Sequence, residues 1–503
     1  MPVRLADLRG RSVAVWGTGR EGRAAVTAIA AHAPARLVAV DDSANFLSLP
    51  WDGELARLAP LYGGDEAFEQ LAAADVVVRS PGVPQTHPWV VALRERGIPI
   101  TGGTALWMAD HADRTVGVTG SKGKSTTSSL ISHLLTAVGR PNVFGGNIGV
   151  PLLDLPEADL YVLELSSYQC SDLADSPRVA VVTSLFPEHL DAHGGEREYY
   201  RDKLNLLAHG PATIVVNGAD QRLLAELAAL PAVAGRPVLT AGRSDVAPGP
   251  LPTGGLVGVA GPAGEPTVVG GPGPVGEPVR ADRPGGPVVD GADRFHLAAG
   301  PDGTEYVHAG DRPLFPRAAL PLVGRHNGRN LCVALAVVES LGVDVVAQAD
   351  TLAAAAGSFA GLPHRLAEIA DPSGVTFVDD TLSTSPYSAM HAIDAYDGRS
   401  LTVIVGGTDR GLDYTPLREH LADRELTVIG IPDSGERIVE MLRDLPGVRA
   451  EVADDLVAAV ALARTVTPSG GAVLLSPAAP SYGRFRNFEH RSEVFAQAIR
   501  DTA

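Results

Sequence analysis

The chain has 503 residues, 45% hydrophobic and 20% charged, which is enough apolar material for about three packed domains. Its 41 basic and 59 acidic residues give a net charge of −18, which argues against duplex nucleic acid or an anionic membrane as a partner. Two cysteines, Cys170 and Cys332, are too few for a disulfide framework and indicate a reducing cytoplasm, and no apolar run is long enough to span a membrane.

Short apolar runs rich in β-branched residues recur along the chain, each followed by a glycine-rich turn and an amphipathic or alanine-rich stretch. This alternation is typical of parallel α/β sheets. The runs that we expect to form strands are 12–16, 37–40, 74–78, 115–118, 158–163, 179–183, 213–216, 376–378, 401–405, 426–429 and 472–475.

These runs fall into three groups, and we predict an α/β protein with three domains: 1–107, 108–361 and 362–503. The segment 248–286 departs from the pattern, since about half of it is glycine or proline. Such a composition does not favour a continuous helix or a central strand. We therefore expect an insertion loop or a loose edge hairpin in the second domain.

The first glycine motif, Gly17-Thr-Gly19-Arg-Glu-Gly22, follows the first predicted strand, and Asp41 and Asp42 end the second. This spacing is typical of a dinucleotide-binding fold, in which an acid some twenty residues further on holds a ribose hydroxyl. Alone, the motif is compatible with NAD, FAD or a UDP-sugar. Arg20, at the mouth of the loop, suits an anionic ligand or is an ordinary solvated arginine.

The strongest local signal is Thr119-Gly-Ser-Lys-Gly-Lys-Ser-Thr126, between an apolar strand and a helix predicted to end near Val138. A glycine loop in this place presents backbone amides to phosphate oxygens, assisted by the positive end of the helix dipole. We expect Lys124 to reach the β- and γ-phosphates of ATP, and a hydroxyl of Ser125 or Thr126 to bind Mg²⁺. The first glycine usual in such loops is replaced by Val118. The candidate ATP-binding residues here are Gly120, Ser121, Lys122, Gly123, Lys124, Ser125 and Thr126.

Acidic residues follow two later strands of the second domain. Glu164 ends the strand predicted at 158–163, beside two serines. A carboxylate opposite a phosphate loop suits a Mg²⁺ site, although the same acid alone would be an ordinary helix cap. After the strand 179–183, acids alternate with imidazoles ahead of Lys203, which indicates a second cation site or proton transfer; these residues are Glu188, His189, Asp191 and His193.

The third domain has polar segments after three of its predicted strands, at 379–386, 406–411 and 476–491, and a further polar segment at 361–365. Ligands of parallel α/β sheets bind at the carboxyl ends of the strands. These segments are therefore candidate binding loops, although each one alone is also ordinary loop sequence.

As an ordered set, four short motifs resemble those of the Mur ligase family, the ATP-dependent amide ligases of bacterial peptidoglycan synthesis. They are Ser80-Pro-Gly-Val-Pro84, Gly145-Gly-Asn-Ile-Gly149, Leu163-Glu-Leu-Ser-Ser-Tyr-Gln169 and Gly361-Leu-Pro-His-Arg365. The resemblance covers nearly the whole chain outside 248–286, and it is greatest to the family members that add glutamate. It implies a cytoplasmic enzyme with a central P-loop ATPase domain, between Rossmann-like domains that bind UDP and glutamate.

The resemblance also implies roles for individual residues. The UDP-bearing substrate would contact Gly19, Arg20, Glu21, Gly22, Asp41, Ser80, Pro81, Gly82 and Asn147. Mg²⁺ would be bound by Ser125, Glu164, His189 and Lys203, the last as a carbamate. The catalytic residues would be Lys124, His189 and Lys203, and further ATP contacts would come from Asn327, Asn330, Arg365 and Asp380. The plausible glutamate contacts are Thr384, Arg410, Ser481 and Phe488.

The implied reaction begins with the alanine carboxylate of UDP-N-acetylmuramoyl-L-alanine, which ATP converts into an acyl phosphate. The glutamate amine then attacks, giving the amide, ADP and phosphate. Because water would hydrolyse the acyl phosphate, we expect the third domain to close over the site. The partners are small molecules. The sequence leaves the oligomeric state open, with a monomer compatible.

Three positions depart from the pattern of the ordinary D-glutamate-adding members. Leu382 stands where they carry a lysine, Gly483 where they carry an aspartate, and Glu188 where an aspartate is more usual. The first two changes remove charge-assisted bonds worth about 1.5–3 kcal/mol each if they are unreplaced. They make most sense if glutamate is held differently, and the segment 15–23 also resembles the minority branch that adds L-glutamate. We therefore favour L-glutamate over D-glutamate.

Three other functions compete with this interpretation. A nicotinamide-dependent oxidoreductase would explain the first glycine motif but not the phosphate loop, Glu164 or Lys203. A non-catalytic nucleotide-binding regulator would not need Lys124, Glu164, His189 and Lys203 together. A folylpolyglutamate synthase-like ligase also couples ATP to glutamate addition, but it lacks the full UDP-binding domain that we expect residues 1–107 to form.

Overall fold

The computed structural model describes residues 2–43, 51–147, 150–188, 190–234, 236–244, 288–289, 293–300, 302–481 and 483–503. They form three α/β units, each built on its own sheet, and most strand pairs are parallel. The predicted fold class is thereby confirmed. The insertion predicted at 248–286 lies outside the described residues, as does His189.

The first sheet has five strands, all parallel, in the order β3-β2-β1-β4-β5. Its strands are β1 Ser12–Trp16, β2 Arg36–Val40, β3 Leu61–Tyr62, β4 Val76–Arg79 and β5 Ile100–Gly102. Its helices are α1 Arg20–Ala30, α2 Gly53–Leu58, α3 Ala67–Ala72, α4 Pro88–Glu95 and α5 Gly103–His111, with short 3-10 helices at Leu5–Leu8, Gly64–Glu66 and Ala112–Arg114. The β1 side chains are buried on both faces, as expected for a parallel sheet covered by helices.

The second sheet has ten strands, in the order β15-β14-β13-β11-β10-β9-β6-β8-β7, with β12 paired to β11. The strands are β6 Thr115–Thr119, β7 Val143–Gly146, β8 Tyr161–Glu164, β9 Val179–Val182, β10 Thr213–Asn217, β11 Pro237–Ser244, β12 Val288–Val289, β13 Phe295–Ala299, β14 Glu305–Ala309 and β15 Arg312–Pro316. The helices are α6 Lys124–Ala137, α7 Ser167–Cys170, α8 Leu190–His193, α9 Glu196–Leu204, α10 Gln221–Ala229, α11 Arg325–Ser340 and α12 Ala349–Ser358. Short 3-10 helices lie at Leu152–Asp154, Asn205–Leu207, Pro231–Val233 and Arg317–Ala319.

The third sheet has six strands, in the order β16-β17-β21-β18-β19-β20, and only β16 runs antiparallel to its neighbour among these described strands. The strands are β16 Ala367–Ile369, β17 Thr376–Asp379, β18 Leu401–Val405, β19 Leu426–Gly430, β20 Val448–Val452 and β21 Ala472–Leu475. The helices are α13 Pro386–Ala395, α14 Thr415–Leu421, α15 Ser434–Leu442, α16 Leu456–Val466 and α17 Phe488–Asp501.

Every apolar run that we expected to form a strand overlaps an observed one. Two strands begin later than predicted, β4 and β8. In the first case Ala74 and Asp75 lie outside the strand, and the Asp75 carboxylate accepts a hydrogen bond from the Ser12 amide. In the second, the Ala158 amide donates to the Tyr161 hydroxyl, which holds the preceding residues outside the strand. The helix predicted after the phosphate loop ends at Ala137, one residue before the predicted boundary.

The antiparallel strands β13, β14 and β15 are a feature that the apolar pattern did not indicate. They extend the second sheet beyond β11, with β13 paired to β14 and β14 paired to β15. Among the described helices, every one is too short or too polar to cross a bilayer.

Candidate active site

The phosphate loop lies between β6 and α6 and depends on two glycines. Gly120 has φ +147° and Gly123 has φ +85°, values that side chains rarely adopt. A Cβ at Gly120 would lie 2.1 Å from Thr183 Oγ1, and one at Gly123 would lie 2.9 Å from Asn330 Oδ1. Each position therefore requires glycine, both for its backbone conformation and for the close approach of its neighbours.

Two lysines converge on the carbonyl of Gly120. Lys124, the first residue of α6, donates from Nζ to Gly120 O at 2.8 Å and to Ser121 O at 3.0 Å. Lys203, from α9, is 1% exposed and donates from Nζ to Gly120 O at 2.9 Å. Burial lowers the pKa of Lys124, and burial together with the charge of Lys124 lowers the pKa of Lys203 to about 7. The loop thus concentrates two amines in one buried place.

Glu164, at the carboxyl end of β8, faces these lysines with one carboxylate oxygen unpaired. It is 1% exposed, and its Oε1 accepts a hydrogen bond of 2.8 Å from Asn147 Nδ2. Its Oε2 is buried and has no hydrogen-bond partner among the described residues. A buried carboxylate oxygen without a donor is costly, and a hard cation such as Mg²⁺ would satisfy it.

The candidate metal ligands therefore fit Mg²⁺ in part. Ser125 is buried at the start of α6, and Lys203 lies against the same loop. His189, the remaining predicted ligand, lies outside the described residues. Within those residues, no three His, Cys, Asp or Glu side chains form a group that could hold a metal ion. Mg²⁺ commonly takes only one or two carboxylates, with phosphate and water oxygens completing its coordination.

The acid and imidazole motif after β9 divides into two parts. Glu188 is 8% exposed and forms an ion pair of 3.0 Å with Lys122 of the phosphate loop. His193 is buried, with Nε2 at 2.9 Å from Ser167 Oγ and Nδ1 at 2.8 Å from Asp202 Oδ2. Glu188 therefore belongs to the phosphate loop, whereas His193 connects α7 to α9.

The first glycine motif lines a cleft of about 410 Å³ at the carboxyl ends of β1 and β4. The predicted substrate residues that line it are Gly19, Arg20, Glu21, Asp41, Ser80, Pro81, Gly82 and Asn147. Gly22 does not line it, and a Cβ there would lie 1.8 Å from Gly17 O, so this glycine lets α1 approach the loop.

Five residues of this cleft were not among the predicted substrate contacts, namely Gly17, Thr18, Asp42, Val83 and Gln169. Thr18 Oγ1 donates to Asp41 Oδ2 at 2.6 Å. Burial alone would raise the pKa of Asp41, but hydrogen bonds from Ser43 and Thr18 outweigh it and lower that pKa. Gln169 was visible as part of the motif 163–169, but its place in this cleft depends on the packing of two domains.

Asn147 and Gln169 bring the second domain to the cleft of the first. Both line the cleft, although Asn147 follows β7 and Gln169 lies in α7, two elements of the second unit. Gln169 Nε2 donates to Glu21 Oε1 at 3.4 Å, and burial raises the pKa of Glu21. The cleft therefore ends at the residues that surround Glu164.

The remaining candidate ATP residues come from α11 and the third unit. Asn327 and Asn330 are buried at the start of α11, and Asn330 Nδ2 donates to Asn327 Oδ1 at 3.3 Å. Asp380 follows β17, and its Oδ2 accepts a hydrogen bond of 2.8 Å from Ser476 Oγ. Burial raises the pKa of Asp380 to about 6. The positive charge of Arg365 offsets part of the rise in the pKa of Asp380, and it adds to the effect of burial, which lowers the pKa of Lys124. Arg365 thus acts electrostatically on both units.

The glutamate candidates lie on three loops and one helix of the third unit. Thr384 follows β17, Arg410 is exposed after β18, Ser481 is buried after β21, and Phe488 begins α17. The loops after β18 and β21 adjoin, since Thr408 N donates to Pro480 O at 3.0 Å. These side chains therefore belong to one edge of the sheet, the edge at which parallel sheets bind ligands.

The sequence of the chain is similar to a family model and to named enzymes. Residues 118–248 match the Mur ligase middle domain. The chain is 71% identical to the UDP-N-acetylmuramoyl-L-alanine–L-glutamate ligase of a Micromonospora species, covering 100% of this chain and 99% of that one. It is 69% identical to the enzyme of the same name from Salinispora tropica, covering 100% of both chains.

A solved structure supports the fold. It is the MurF ligase from Thermotoga maritima in complex with ADP, which is similar with a TM-score of 0.54 and 17% identity, covering 99% of this chain and 97% of that one. At this identity the likeness concerns the architecture.

Proposed function

The chain belongs to the Mur ligase family, and from that premise we propose that it joins L-glutamate to UDP-N-acetylmuramoyl-L-alanine, converting ATP to ADP and phosphate. Its relatives at 71% and 69% identity are named for that reaction. We assign the UDP-bearing substrate to residues 1–107, ATP to 108–361 and glutamate to 362–503.

The observation that carries the proposal is the hydrogen bond of 2.8 Å from Asn147 Nδ2 to Glu164 Oε1. Asn147 lines the cleft at the first glycine motif, and Glu164 lies beside the phosphate loop. A substrate that enters the cleft with its UDP end near Asp41 and its alanine end near Asn147 would present its carboxylate to the γ-phosphate. The carboxylate of the substrate and the γ-phosphate of ATP would then meet beside Asn147 and Glu164.

The phosphate loop supplies the chemistry of activation. A free carboxylate is a poor acyl donor, because its leaving group would be oxide, whereas an acyl phosphate releases phosphate. Lys124 and the amides of the loop would neutralise charge on the γ-phosphoryl group as it moves to the carboxylate oxygen. Asn327 and Asn330 would hold the nucleoside end, with Arg365 and Asp380 approaching the phosphates from the third unit.

We propose Mg²⁺ as the cation of this site. The unpaired Oε2 of Glu164 would be one ligand, with Ser125, His189 and Lys203 as the other protein ligands. When bound, Mg²⁺ offsets the negative charge of the phosphates.

Lys203 would serve this site as a carbamate. Its Nζ is buried against Gly120 O, and its lowered pKa of about 7 favours the neutral amine. The neutral amine adds carbon dioxide at nitrogen with loss of one proton, which gives an anion in place of a cation. The carbamate would thereby turn a lysine into an oxygen ligand.

We assign L-glutamate on the basis of the third unit and the named relatives. Leu382 and Gly483 lack the charges that the ordinary D-glutamate pattern places there. Arg410 carries a positive charge on the loop after β18. The other proposed glutamate contacts are Thr384, Ser481 and Phe488. The deprotonated glutamate amine would attack the acyl phosphate, and phosphate would leave.

The test is phosphate release by the full chain with ATP and UDP-N-acetylmuramoyl-L-alanine, with L-glutamate and D-glutamate in separate reactions. We expect turnover with L-glutamate, and a product whose mass equals the substrate plus one glutamyl residue. Turnover with D-glutamate alone would refute the handedness. An absence of turnover with both would refute the substrate assignment. Hydroxylamine should trap the activated alanine as a hydroxamate, and no hydroxamate would contradict the acyl phosphate.

A further inference from the structure

Resting on the proposed function, we propose that Arg491 is a positioning residue for the glutamate site. It lies in α17 and is fully buried. Its guanidinium lies among the three loops that follow β17, β18 and β21, which are the loops that hold Thr384, Arg410 and Ser481. Arg491 would fix the relative places of these loops without touching the substrate.

Two of the loops are held by hydrogen bonds from one guanidinium. Arg491 donates from Nε to Thr381 Oγ1 at 2.7 Å and from Nη2 to Thr381 O at 2.7 Å, both in the loop after β17. It donates from Nη1 to Ala479 O at 3.3 Å, in the loop after β21. The planar fork of arginine therefore joins two separate backbone segments.

The third loop meets the guanidinium at Gly407. A Cβ at Gly407 would lie 3.1 Å from Arg491 Nη1 and 2.3 Å from Pro480 O, and φ is +155° there. The neighbouring Thr408 N donates to Pro480 O at 3.0 Å. The loop that carries Arg410 is therefore packed directly on the segment that Arg491 holds.

The hydrogen bonds of Arg491 in the described structure all end on uncharged oxygens. Burial lowers the pKa of Arg491 to about 10, which the charge of Asp379 partly offsets. A buried cation without a bonded carboxylate is costly, and apolar side chains usually fill such a place with better stability. Packing alone therefore does not explain an arginine here, whereas the joining of loops does.

Ser492, the next residue, ties the same helix to the end of β17. Its Oγ donates to Asp379 Oδ2 at 2.6 Å, and His364 Nδ1 lies 2.7 Å from the same oxygen. The helix that begins with Phe488 is thereby fixed beside the turn that carries Asp380. A displacement of Arg491 would move the glutamate loops together, whereas Arg491 is not among the described residues that line the cleft of the first unit.

The experiment compares Arg491→Lys and Arg491→Met with the unaltered full chain. We expect KM for glutamate to rise about tenfold or more, because charged hydrogen bonds that hold the loops are lost. KM for UDP-N-acetylmuramoyl-L-alanine should stay within about twofold. Arg491→Lys should be the milder variant, since it keeps the charge but not the fork.

Arg464→Lys is the matched control. Arg464 also bonds within the third unit, to Asp371 at 2.8 Å and to Ile499 O at 2.9 Å, but Asp371 lies before β17, at the opposite end of the strand. This variant should lower the melting temperature and leave KM for glutamate unchanged. If Arg491→Met does not fold, Thr381→Val, which removes one acceptor, should still raise KM for glutamate.

The inference is overturned if Arg491→Lys and Thr381→Val both leave KM for glutamate unchanged. It is equally overturned if the KM values for all three substrates rise in the same proportion, since that is the behaviour of a general structural defect. A different result would overturn the proposed function: the unaltered chain would release no phosphate when glutamate is supplied.

Discussion

Arg79 and Asp172 form an ion pair between the first and second units, with Nη2 and Oδ2 2.6 Å apart. Both side chains are buried, at 1% and 7% exposure. Gln85 Nε2 donates to the other carboxylate oxygen of Asp172 at 2.6 Å. Because Arg79 immediately precedes the cleft residues Ser80, Pro81 and Gly82, the pair fixes that loop against the second unit.

Removal of Asp172 should therefore impair both stability and substrate binding. Asp172→Ala leaves Arg79 buried without its carboxylate, and we expect a loss of about 3–5 kcal/mol of stability. KM for the UDP-bearing substrate should also rise. Thermal melting and initial rates test this. The double variant Arg79→Met/Asp172→Leu should recover part of the stability, and Asp110→Ala, in the exposed Arg4–Asp110 pair, should cost about 1 kcal/mol or less.

Lys124 is the residue whose loss should affect the chemical step most directly. Lys124→Met should lower kcat at least about a hundredfold, because a preorganised charge at the transferred phosphoryl group is lost. The measurement is phosphate release at saturating substrates. Arg140→Met, at an exposed position beyond the far end of α6, is the control and should leave kcat unchanged. Normal kcat in Lys124→Met would contradict the role of the loop.

Carbamate formation at Lys203 has a spectroscopic test that does not need turnover. With ¹³C-labelled bicarbonate, the protein should show a carbamate carbon resonance by NMR. The signal should be absent from Lys203→Met, which cannot form the adduct, and present in Arg140→Met. An unaltered protein without this resonance under saturating bicarbonate would exclude the carbamate.

The Asp371–Arg464 pair should make the third unit sensitive to acid. Hydrogen bonds from Arg464 and Ser373 hold the pKa of Asp371 well below its ordinary value. A lowered folded-state pKa contributes stability above the unfolded value of about 4, and that stability is lost as the pH falls towards the folded-state pKa. Asp371→Asn should thus lower the melting temperature by a few degrees at neutral pH, and the difference should shrink in acid.

Asp444→Asn is the control for this pair. Asp444 also makes two hydrogen bonds with one arginine, Arg418, but its side chain is 73% exposed. Solvent screens such a pair, so the melting temperature should change much less. Equal effects of the two substitutions at neutral pH would show that burial of the Asp371 pair contributes nothing.

The substitution Gly483→Asp tests whether the third unit accepts the aspartate that the ordinary D-glutamate pattern places at this position. The φ of Gly483 is +105°, and a Cβ there would lie 3.2 Å from Thr408 Oγ1. Gly483→Asp should cost on the order of 1–3 kcal/mol of stability and reduce turnover with L-glutamate. Gly470→Asp has a similar positive φ but open space around it, so it should lose stability without losing turnover. Because Leu382 still lacks the second charge of the ordinary D-glutamate pattern, we expect no turnover with D-glutamate in Gly483→Asp, and a gain of that turnover would contradict this prediction.

Local patterns predicted the parts of the fold that depend on neighbouring residues. The eleven apolar runs predicted strands because a buried parallel strand is apolar on both faces. The phosphate loop was recognisable because glycine, lysine and hydroxyl residues must follow one another within one turn. The family assignment and the enzyme class predicted from the ordered motifs are confirmed by the relatives.

Contacts between residues far apart in the sequence could not be predicted from local sequence patterns. Arg79 meets Asp172, 93 residues away, and Arg491 meets Thr381, 110 residues away. Neither partner stands out by its neighbours in sequence, since each contact depends on how the units or loops pack. Gln169 was missed as a cleft residue for the same reason. The roles assigned to individual site residues remain predictions.

The hydrogen bond between Asn147 and Glu164 couples binding in the cleft to binding at the phosphate loop. The Asn147 amide belongs to the wall of the cleft at the first glycine motif, and its partner carboxylate faces the phosphate loop. A ligand that draws Glu164 away from the amide alters the free energy of filling the cleft. Linkage then requires a cleft ligand to alter the affinity at Glu164 by the same factor. An inhibitor that engages the Asn147 amide would consequently show a dissociation constant that depends on the concentration of nucleotide.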